Sequence, residues 1–254
     1  MKILVTGSIA YDTIMVFPDR FRNHLLADQL HILNVCFLTP EMRREYGGTA
    51  GNIGYNLKLL GEEPRVMASV GDDIAPYAER FARLGIGTQL FRRIPGQFTA
   101  QAFITTDLDD NQITAFHPGA MNFAHETQVS RELGASLAII GPDGKEGMIQ
   151  HARQCAELGV PFIFDPGQGL PMFSAAELET FLRQASYVAD VSIMPRWLRV
   201  SDAVAYYDGV HPAFDRAATE KLLERGAGEL KIRQKRIELD LEGLWDQGTV
   251  SILL

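Results

Sequence analysis

The stretch Tyr46-Gly47-Gly48-Thr49-Ala50-Gly51-Asn52-Ile53-Gly54-Tyr55-Asn56-Leu57 joins a glycine-dense turn to a helical pattern. Gly47 and Gly48 can adopt positive φ angles and allow a ligand to approach the bare backbone. The helix that follows directs its free N–H groups toward the same place. No Gly-Lys-Ser or Gly-Lys-Thr follows, and the glycine spacing differs from that of a dinucleotide fingerprint. The stretch predicts either a binding site or a tight turn that packs a helix onto a strand.

Apolar segments typical of buried strands alternate with helical segments on both sides of this turn. The predicted strands are 3–5, 64–70, 137–140 and 160–164, and the predicted helices are 53–60, 76–84, 146–158 and 175–184. Strand–helix–strand connections of this length favour parallel pairing. We therefore expect an α/β protein with a mostly parallel central sheet flanked by helices.

Two further segments interrupt this alternation. Residues 98–106 and 112–116 predict an antiparallel hairpin joined by the polar loop 107–111. Residues 15–37 have no regular period and predict an excursion from the main sheet. We expect a small β-rich lid built from elements near 13–45 and 98–118, and an exposed β edge there would favour a homodimer.

Asp12 lies just beyond the predicted strand 3–5. Open α/β sheets bind their ligands at the carboxyl ends of strands. An acidic residue at this place is either a turn former or a hydrogen-bond acceptor for ligand hydroxyls. The residues alone leave both alternatives open.

The composition is that of a globular protein of 254 residues, with 46% hydrophobic residues and a net charge of −8. This charge argues against nucleic-acid binding, because acidic residues flank the one short basic run, 231–236. No apolar run is long enough to span a membrane or to form a signal peptide, so we expect a cytoplasmic protein. Cys36 and Cys155 have no metal-ligand spacing around them, and we expect two buried free thiols.

Five segments together resemble the ribokinase-like pfkB carbohydrate kinase family, and most closely its bacterial-type adenosine kinases. They occur in the family's order, and the resemblance covers residues 1 to about 189. The segments are Val5-Thr6-Gly7-Ser8-Ile9-Ala10-Tyr11-Asp12, Tyr46-Gly47-Gly48-Thr49-Ala50-Gly51-Asn52, Val70-Gly71-Asp72-Asp73, Phe116-His117-Pro118-Gly119-Ala120-Met121 and Phe164-Asp165-Pro166-Gly167-Gln168.

The resemblance implies a kinase that transfers the γ-phosphoryl group of ATP, with Mg²⁺, to a primary hydroxyl of a nucleoside or sugar. It implies that Asp12 accepts hydrogen bonds from ribose hydroxyls and that Phe116 stacks on the base. The turn at Gly47 and Gly48 would contact the sugar, and Asn52 would bind one of its hydroxyls. The implied substrate-binding residues are Ser8, Asp12, Gly47, Gly48, Asn52, Phe116 and Gln168.

Residues 190–254 depart from the family pattern. Where the family has Asn-x-x-Glu, which organises magnesium and phosphate, this chain has Ala189-Asp190-Val191-Ser192-Ile193-Met194. The nearest match to the family's Gly-Ala-Gly-Asp is Gly226-Ala227-Gly228-Glu229, which is either a remnant of that motif or the end of a helix. No catalytic base is identified, and Glu229 is the only candidate.

The segment Tyr207-Asp208-Gly209-Val210-His211-Pro212 resembles the last sequence block of SGNH/GDSL-type hydrolases. The Gly-Asp-Ser block that supplies their nucleophile is missing, so His211 is either a hydrolase remnant or a turn residue. Three hypotheses remain: a nucleoside or sugar kinase whose activity the altered C-terminal segment reduces, a nucleoside- or sugar-binding protein without catalysis, and a hydrolase.

Overall fold

The computed structural model describes residues 2–25 and 34–189 of the chain. Within these ranges it contains ten β-strands in two sheets and four α-helices. The motifs considered around His211 and Glu229 lie outside the described residues. So does the rest of the divergent segment 190–254.

The larger sheet has six strands in the order β10-β9-β8-β1-β4-β5, and each neighbouring pair is parallel. Its strands are β1 (Lys2–Thr6), β4 (Glu63–Val70), β5 (Gly87–Arg93), β8 (Leu137–Ile140), β9 (Phe162–Phe164) and β10 (Tyr187–Val188). The predicted parallel pairing of 137–140 with 160–164 is confirmed. Sequence patterns did not identify β5, since this edge strand is polar and only partly covered.

Helices cover both faces of the large sheet, and alternation along β1 shows how. Ile3 and Val5 point toward the core that contains α1 (Thr49–Leu59) and α2 (Ala75–Arg83). Leu4 points the other way, into the core that contains α3 (Lys145–Leu158) and α4 (Ala175–Gln184). Successive side chains of a strand face opposite sides, so a continuous apolar strand is buried on both.

The smaller sheet has four strands in the order β3-β2-β6-β7. They are β2 (Ala10–Val16), β3 (Glu41–Gly47), β6 (Ala100–Thr106) and β7 (Gln112–His117). Strand β2 is antiparallel to β3 and parallel to β6, whereas β6 and β7 form the predicted antiparallel hairpin.

The hairpin loop is held by the buried Asp107. Its carboxylate accepts hydrogen bonds from the backbone N–H groups of Phe21, Asp109 and Asn111. Burial alone would raise the pKa of Asp107, but these donors lower it to about 2. The loop is thereby attached to the short 3₁₀ helix Phe21–Asn23.

The structure excludes one alternative for Asp12 and corrects the prediction that Cys36 is buried. Asp12 is not a turn former, because it lies within β2 and is paired on both sides, with Glu45 and Ala102. Cys36 is exposed, since it lies in an irregular segment outside both sheets. Cys155 on α3 is buried as predicted, and burial raises the pKa of its thiol to about 12.

Candidate functional site

The floor of the candidate site is formed where three parallel strands end. Ser8 follows β1, Pro142 follows β8 and Gly167 follows β9. The Ser8 N–H donates to the Pro142 carbonyl at 3.0 Å. Gly167 packs against the Pro142 ring so closely that a Cβ there would lie 2.5 Å from Cγ. Gln168 comes next, in the 3₁₀ helix Gly167–Met172, so its backbone borders the floor of the site.

Ser8 also caps the start of α1. Its hydroxyl accepts a hydrogen bond from the Thr49 N–H at 3.0 Å, and its carbonyl accepts from the Ala50 N–H at 3.0 Å. Two of the N–H groups expected to be free for a ligand are therefore occupied by the protein. The cap also explains why α1 begins at Thr49, four residues before the predicted helix start. Ser8 is 8% exposed.

Gly48 forms the corner between β3 and α1. Its φ of +88° lies in a region that side chains rarely adopt, and a Cβ there would lie 2.5 Å from both Ala10 N and Ser8 O. A glycine is thus required at this position by conformation and by space. The glycine pair serves the packing of the helix onto the strands, as one of the two initial alternatives proposed.

Gly47 packs directly against Asp12. A Cβ at Gly47 would overlap the Asp12 carboxylate and lie 2.6 Å from its Cγ. Because Asp12 and Gly47 lie on adjacent strands of one sheet, the missing side chain leaves the Asp12 carboxylate beside bare backbone. The second alternative, a ligand-binding turn, is therefore compatible with the first.

The Asp12 carboxylate is half-buried and, among the residues that the structure describes, has no hydrogen-bond or ion-pair partner. Burial, followed by the negative charge of Glu45 on β3, raises the pKa of Asp12. A carboxylate held without a donor is poorly stabilised by the fold itself. It is well suited to accept hydrogen bonds from ligand hydroxyls.

Phe116 lies in the same cross-strand row as Asp12. Asp12 on β2 is opposite Ala102 on β6, and Ala102 is opposite Phe116 on β7. Residues opposite each other in a sheet share one face, so all three side chains point to the same side. Phe116 is 50% exposed, and the small Ala102 leaves space between its ring and the carboxylate.

Asn52 lies in the first turn of α1 with an exposed side chain. Its N–H donates to the Gly48 carbonyl at 3.0 Å, which makes it the first residue whose N–H bonds within the helix. Its carbonyl accepts from Asn56 Nδ2 at 2.7 Å. The structure thus brings Asn52, Ser8 and both glycines to one corner, and attaches Asp12 and Phe116 to it through the small sheet.

Two residues outside the predicted set of site residues connect this corner to its surroundings. Tyr77 on α2 donates its hydroxyl hydrogen bond to the Gly47 carbonyl at 2.8 Å. Asp73 follows β4, and its carboxylate accepts a hydrogen bond at 2.8 Å from the N–H of Thr99, which precedes β6. The guanidinium of Arg44 on β3 lies 3.7 Å from Oδ2 of the same carboxylate. Asp73 belongs to a segment already noted for its resemblance. Tyr77 carries no local signal, since it occupies an ordinary core position of an amphipathic helix.

Residues 2–25 and 34–189 contain no group of three or more His, Cys, Asp or Glu side chains placed to hold a metal ion. Mg²⁺ is commonly held by one or two carboxylates together with substrate phosphates, and such an arrangement does not require a group of this size. None of the helices within the same ranges is long and apolar enough to cross a membrane. Glu229 and His211 stay predictions.

Comparison with known proteins identifies the family. The model of the pfkB family carbohydrate kinase matches residues 9–189. A nucleoside kinase from Methanothermobacter thermautotrophicus (strain Delta H) is 28% identical over 181 residues, which cover 70% of this chain and 55% of that protein.

Solved structures of a nucleoside kinase from Burkholderia thailandensis are also similar. The complex with inosine is 51% identical with a TM-score of 0.65, and it covers 74% of this chain and 60% of that one. The complex with ADP-inosine is 52% identical with a TM-score of 0.63, and it covers 74% and 59%. This chain spans less than two thirds of the length of these relatives. Since the family model matches most of its residues, the chain belongs to the pfkB family of carbohydrate kinases.

Proposed function

We propose that this protein binds a nucleoside and catalyses transfer of the γ-phosphoryl group of ATP to the nucleoside's primary hydroxyl. The observation that carries the proposal is the row of Asp12, Ala102 and Phe116, which places an unpartnered carboxylate and an exposed ring on one face. A sugar with neighbouring hydroxyls suits the carboxylate, and a flat base suits the ring. The matched relatives named nucleoside kinase support this class of substrate.

The spacing of this row fits a nucleoside. Neighbouring strands lie about 4.8 Å apart, so Asp12 and Phe116 on alternate strands are separated by about 10 Å. A nucleoside whose ribose lies at Asp12 extends its base toward Phe116 over such a distance. The bare backbone at Gly47 allows the sugar to approach the carboxylate, and Asn52 reaches the same corner from α1.

The remaining predicted contacts belong to this proposal. Ser8 contributes by capping α1 and thereby placing Gly48 and Asn52. Gln168 would complete the pocket from the loop after β9. The small sheet serves as a lid whose closure over the nucleoside excludes water from the reacting groups. Purine nucleosides are the preferred candidates: inosine is bound by the Burkholderia relative, and the sequence segments resemble adenosine kinases.

The direct test is an assay of the purified protein with γ-labelled ATP, Mg²⁺ and inosine, adenosine or ribose in separate reactions. We expect label in a nucleoside monophosphate with inosine or adenosine, and much less with ribose, which offers no base to Phe116. Label in none of the products above the enzyme-free blank would contradict the kinase proposal.

A second candidate is a protein that binds nucleosides without phosphorylating them. It is favoured by the sequence at 189–194 and 226–229, where the family's phosphate- and magnesium-organising motifs are not found. Phosphoryl transfer depends on positioning and charge neutralisation, so loss of these groups would abolish catalysis before binding. A nucleoside-induced rise in melting temperature without any labelled product would select this candidate.

The small sheet also supports a proposal of self-association. Within residues 2–25 and 34–189, its edge strands β3 and β7 each pair on one side only, and its face opposite Asp12 exposes Met42, Phe103 and Ile113. We place a homodimer contact on this face. Sedimentation equilibrium of the wild type and of Phe103→Asp tests it: the wild type should be dimeric and the variant monomeric. A monomeric wild type would refute this contact.

The expected cytoplasmic location remains part of the proposal.

A further inference from the structure

A buried tyrosine lies beneath the turn formed by Gly47 and Gly48. Tyr77 on α2 is 1% exposed, and its ring packs nearly perpendicular to that of Tyr46, with centroids 5.2 Å apart. The rings of Tyr11 and Phe81 contact it in the same edge-to-face manner, at 5.8 and 5.1 Å. Such packing restricts the ring to one orientation and so determines where its hydroxyl lies.

The hydroxyl of Tyr77 is directed at the turn. It donates to the Gly47 carbonyl at 2.8 Å, in a buried environment. A side chain at Gly51 would overlap this hydroxyl, so the glycine lets α1 lie directly on it. Burial raises the pKa of Tyr77 strongly, which keeps the hydroxyl protonated and able to donate.

The peptide that Tyr77 holds is the one whose carbonyl belongs to Gly47. It joins Gly47 to Gly48, and two glycines in sequence restrict the backbone least. It lies at the last residue of β3, where the ladder with β2 ends and the chain turns at a φ of +88° into α1. The Asp12 carboxylate lies on the other side of Gly47, so close to its Cα that a methyl group would not fit between them.

We propose that Tyr77 is a positioning residue, whose hydrogen bond to Gly47 holds the turn against Asp12 and so sets the place of the carboxylate. This rests on the proposed function in one respect: Asp12 is taken as the acceptor for the ribose hydroxyls. Tyr77 itself does not touch the nucleoside. It acts through Gly47, and its loss moves the acceptor away from the sugar.

The test compares Tyr77→Phe with Tyr11→Phe. The control removes a second tyrosine hydroxyl of the same cluster, which donates to the Asp73 carbonyl at 3.0 Å and not to the turn. The pKa of Asp12 is followed by NMR of protein carrying ¹³C-labelled aspartate, with Asp12→Asn used for assignment. Release of the turn admits water to the carboxylate, so the pKa of Asp12 should fall toward its ordinary value in Tyr77→Phe and remain unchanged in Tyr11→Phe.

An unchanged Asp12 pKa in Tyr77→Phe, together with a fall in melting temperature like that of Tyr11→Phe, would reduce Tyr77 to a packing residue and overturn the proposal. If Tyr77→Phe does not fold, Gly51→Ala displaces the hydroxyl while keeping the ring, and the same shift is expected. An unchanged Asp12 pKa in Gly51→Ala would also overturn the proposal.

Nucleoside binding is measured separately on the same proteins. Loss of one buried hydrogen bond should weaken inosine binding about three- to tenfold in Tyr77→Phe. A wild type that binds no nucleoside would refute the proposed function. The pKa comparison would still decide whether Tyr77 positions Asp12, because it requires no ligand.

Discussion

Asp12 on β2 and Phe116 on β7 share one face of the small sheet, with only Ala102 between them in the cross-strand row. The hairpin β6–β7 carries the ring and the strand after β1 carries the carboxylate, although 104 positions separate 12 from 116 in the chain. This relationship makes the small sheet a binding surface with a polar and an aromatic end.

Replacing the carboxylate should separate binding from stability. Asp12→Asn keeps the shape but removes the charge, and we expect nucleoside affinity to fall by roughly 10- to 100-fold, the range for a hydrogen bond to a charged group. The melting temperature of the free protein should not fall, because burial disfavours the charged form. Asp110→Asn, in the exposed hairpin loop, is the matched control. Equal nucleoside-induced shifts in both variants would contradict the assignment.

The aromatic end is tested by two phenylalanines of the same hairpin. Phe116 and Phe103 are exposed to 50% and 41% and lie on opposite faces. Stacking on a base contributes about 1–3 kcal/mol, so Phe116→Ala should weaken nucleoside binding by roughly 5- to 150-fold. Phe103→Ala should leave it within a factor of about two. Titration calorimetry with inosine distinguishes them, and equal losses would show that stacking is not the cause.

A methyl group at Gly47 should displace the Asp12 carboxylate. Gly47 has no positive φ, so alanine suits its backbone but not the space beside Asp12. We expect Gly47→Ala to abolish the nucleoside-induced thermal shift. Gly96→Ala is the control, because there the backbone and not the space is unsuitable for alanine. The φ of Gly96 is +74°, and no atom lies within 4 Å of the position that a Cβ would occupy. This substitution should cost about 1 kcal/mol of stability and keep binding. Retained binding in Gly47→Ala would be inconsistent with a tight turn at Asp12.

Acid should destabilise the protein through His151. Its Nε2 lies 3.0 Å from the Thr127 hydroxyl, which already donates to the Ala124 carbonyl, so Nε2 carries the proton and donates. Its Nδ1 is buried without a partner among the described residues. Burial lowers the pKa of His151 to about 4 from 6.5.

Between pH 6.5 and 4 the histidine is therefore protonated in the unfolded chain and still neutral in the folded protein. The free energy of unfolding consequently falls as the pH falls. Urea unfolding of His151→Gln should show a smaller loss over this interval than the wild type. The exposed His125→Gln should match the wild type. Parallel curves for all three proteins would exclude His151 as the cause.

Asp143 should have the opposite pH dependence. It lies in the loop between β8 and α3, its Oδ1 accepts from the Gly144 N–H at 2.9 Å, and its Oδ2 has no partner within the described part of the chain. Burial raises the pKa of Asp143 to about 7 from 3.8. The folded protein retains a proton that the unfolded chain releases, so stability falls as the pH rises from 3.8 toward 7.

Asp143→Asn is neutral at every pH and should remove this loss. Its free energy of unfolding relative to the wild type should increase between pH 4 and 7 and become constant above. Denaturant titrations at intervals of one pH unit measure the difference, with Asp110→Asn as the exposed control. A difference independent of pH would show that Asp143 is ionised in the folded protein.

The sequence predicted the large sheet well where strands are apolar and bounded by glycine. The strand 137–140 and the helix 175–184 have the predicted bounds, because the signals at their ends are local: Gly141 follows the strand, and a capping box of Ser174 and Glu177 begins the helix. The start of α1 was misplaced, since its cap, Ser8, is distant in sequence.

The candidate site was predicted in part. The glycine turn and Asp12 carry visible signals, and their contact follows from the pairing of β2 with β3. Asp12 was expected beyond the end of the strand 3–5, and the second strand that contains it, β2, was not predicted. Tyr77 had no signal of its own, because an apolar position on a helix face gives no indication of what its hydroxyl contacts.

The sequence by itself determined the class of this protein: a parallel α/β sheet, a separate β hairpin and the glycine turn of a sugar-binding family. These follow from hydrophobic periodicity and from glycines whose backbone needs are local. Only the tertiary structure decided that Gly47 lies between the Tyr77 hydroxyl and the Asp12 carboxylate, and that Phe116 shares the face of Asp12. The physical reason is that strand register and helix packing, which bring distant residues together, depend on the summed burial of two whole cores rather than on any single stretch of sequence.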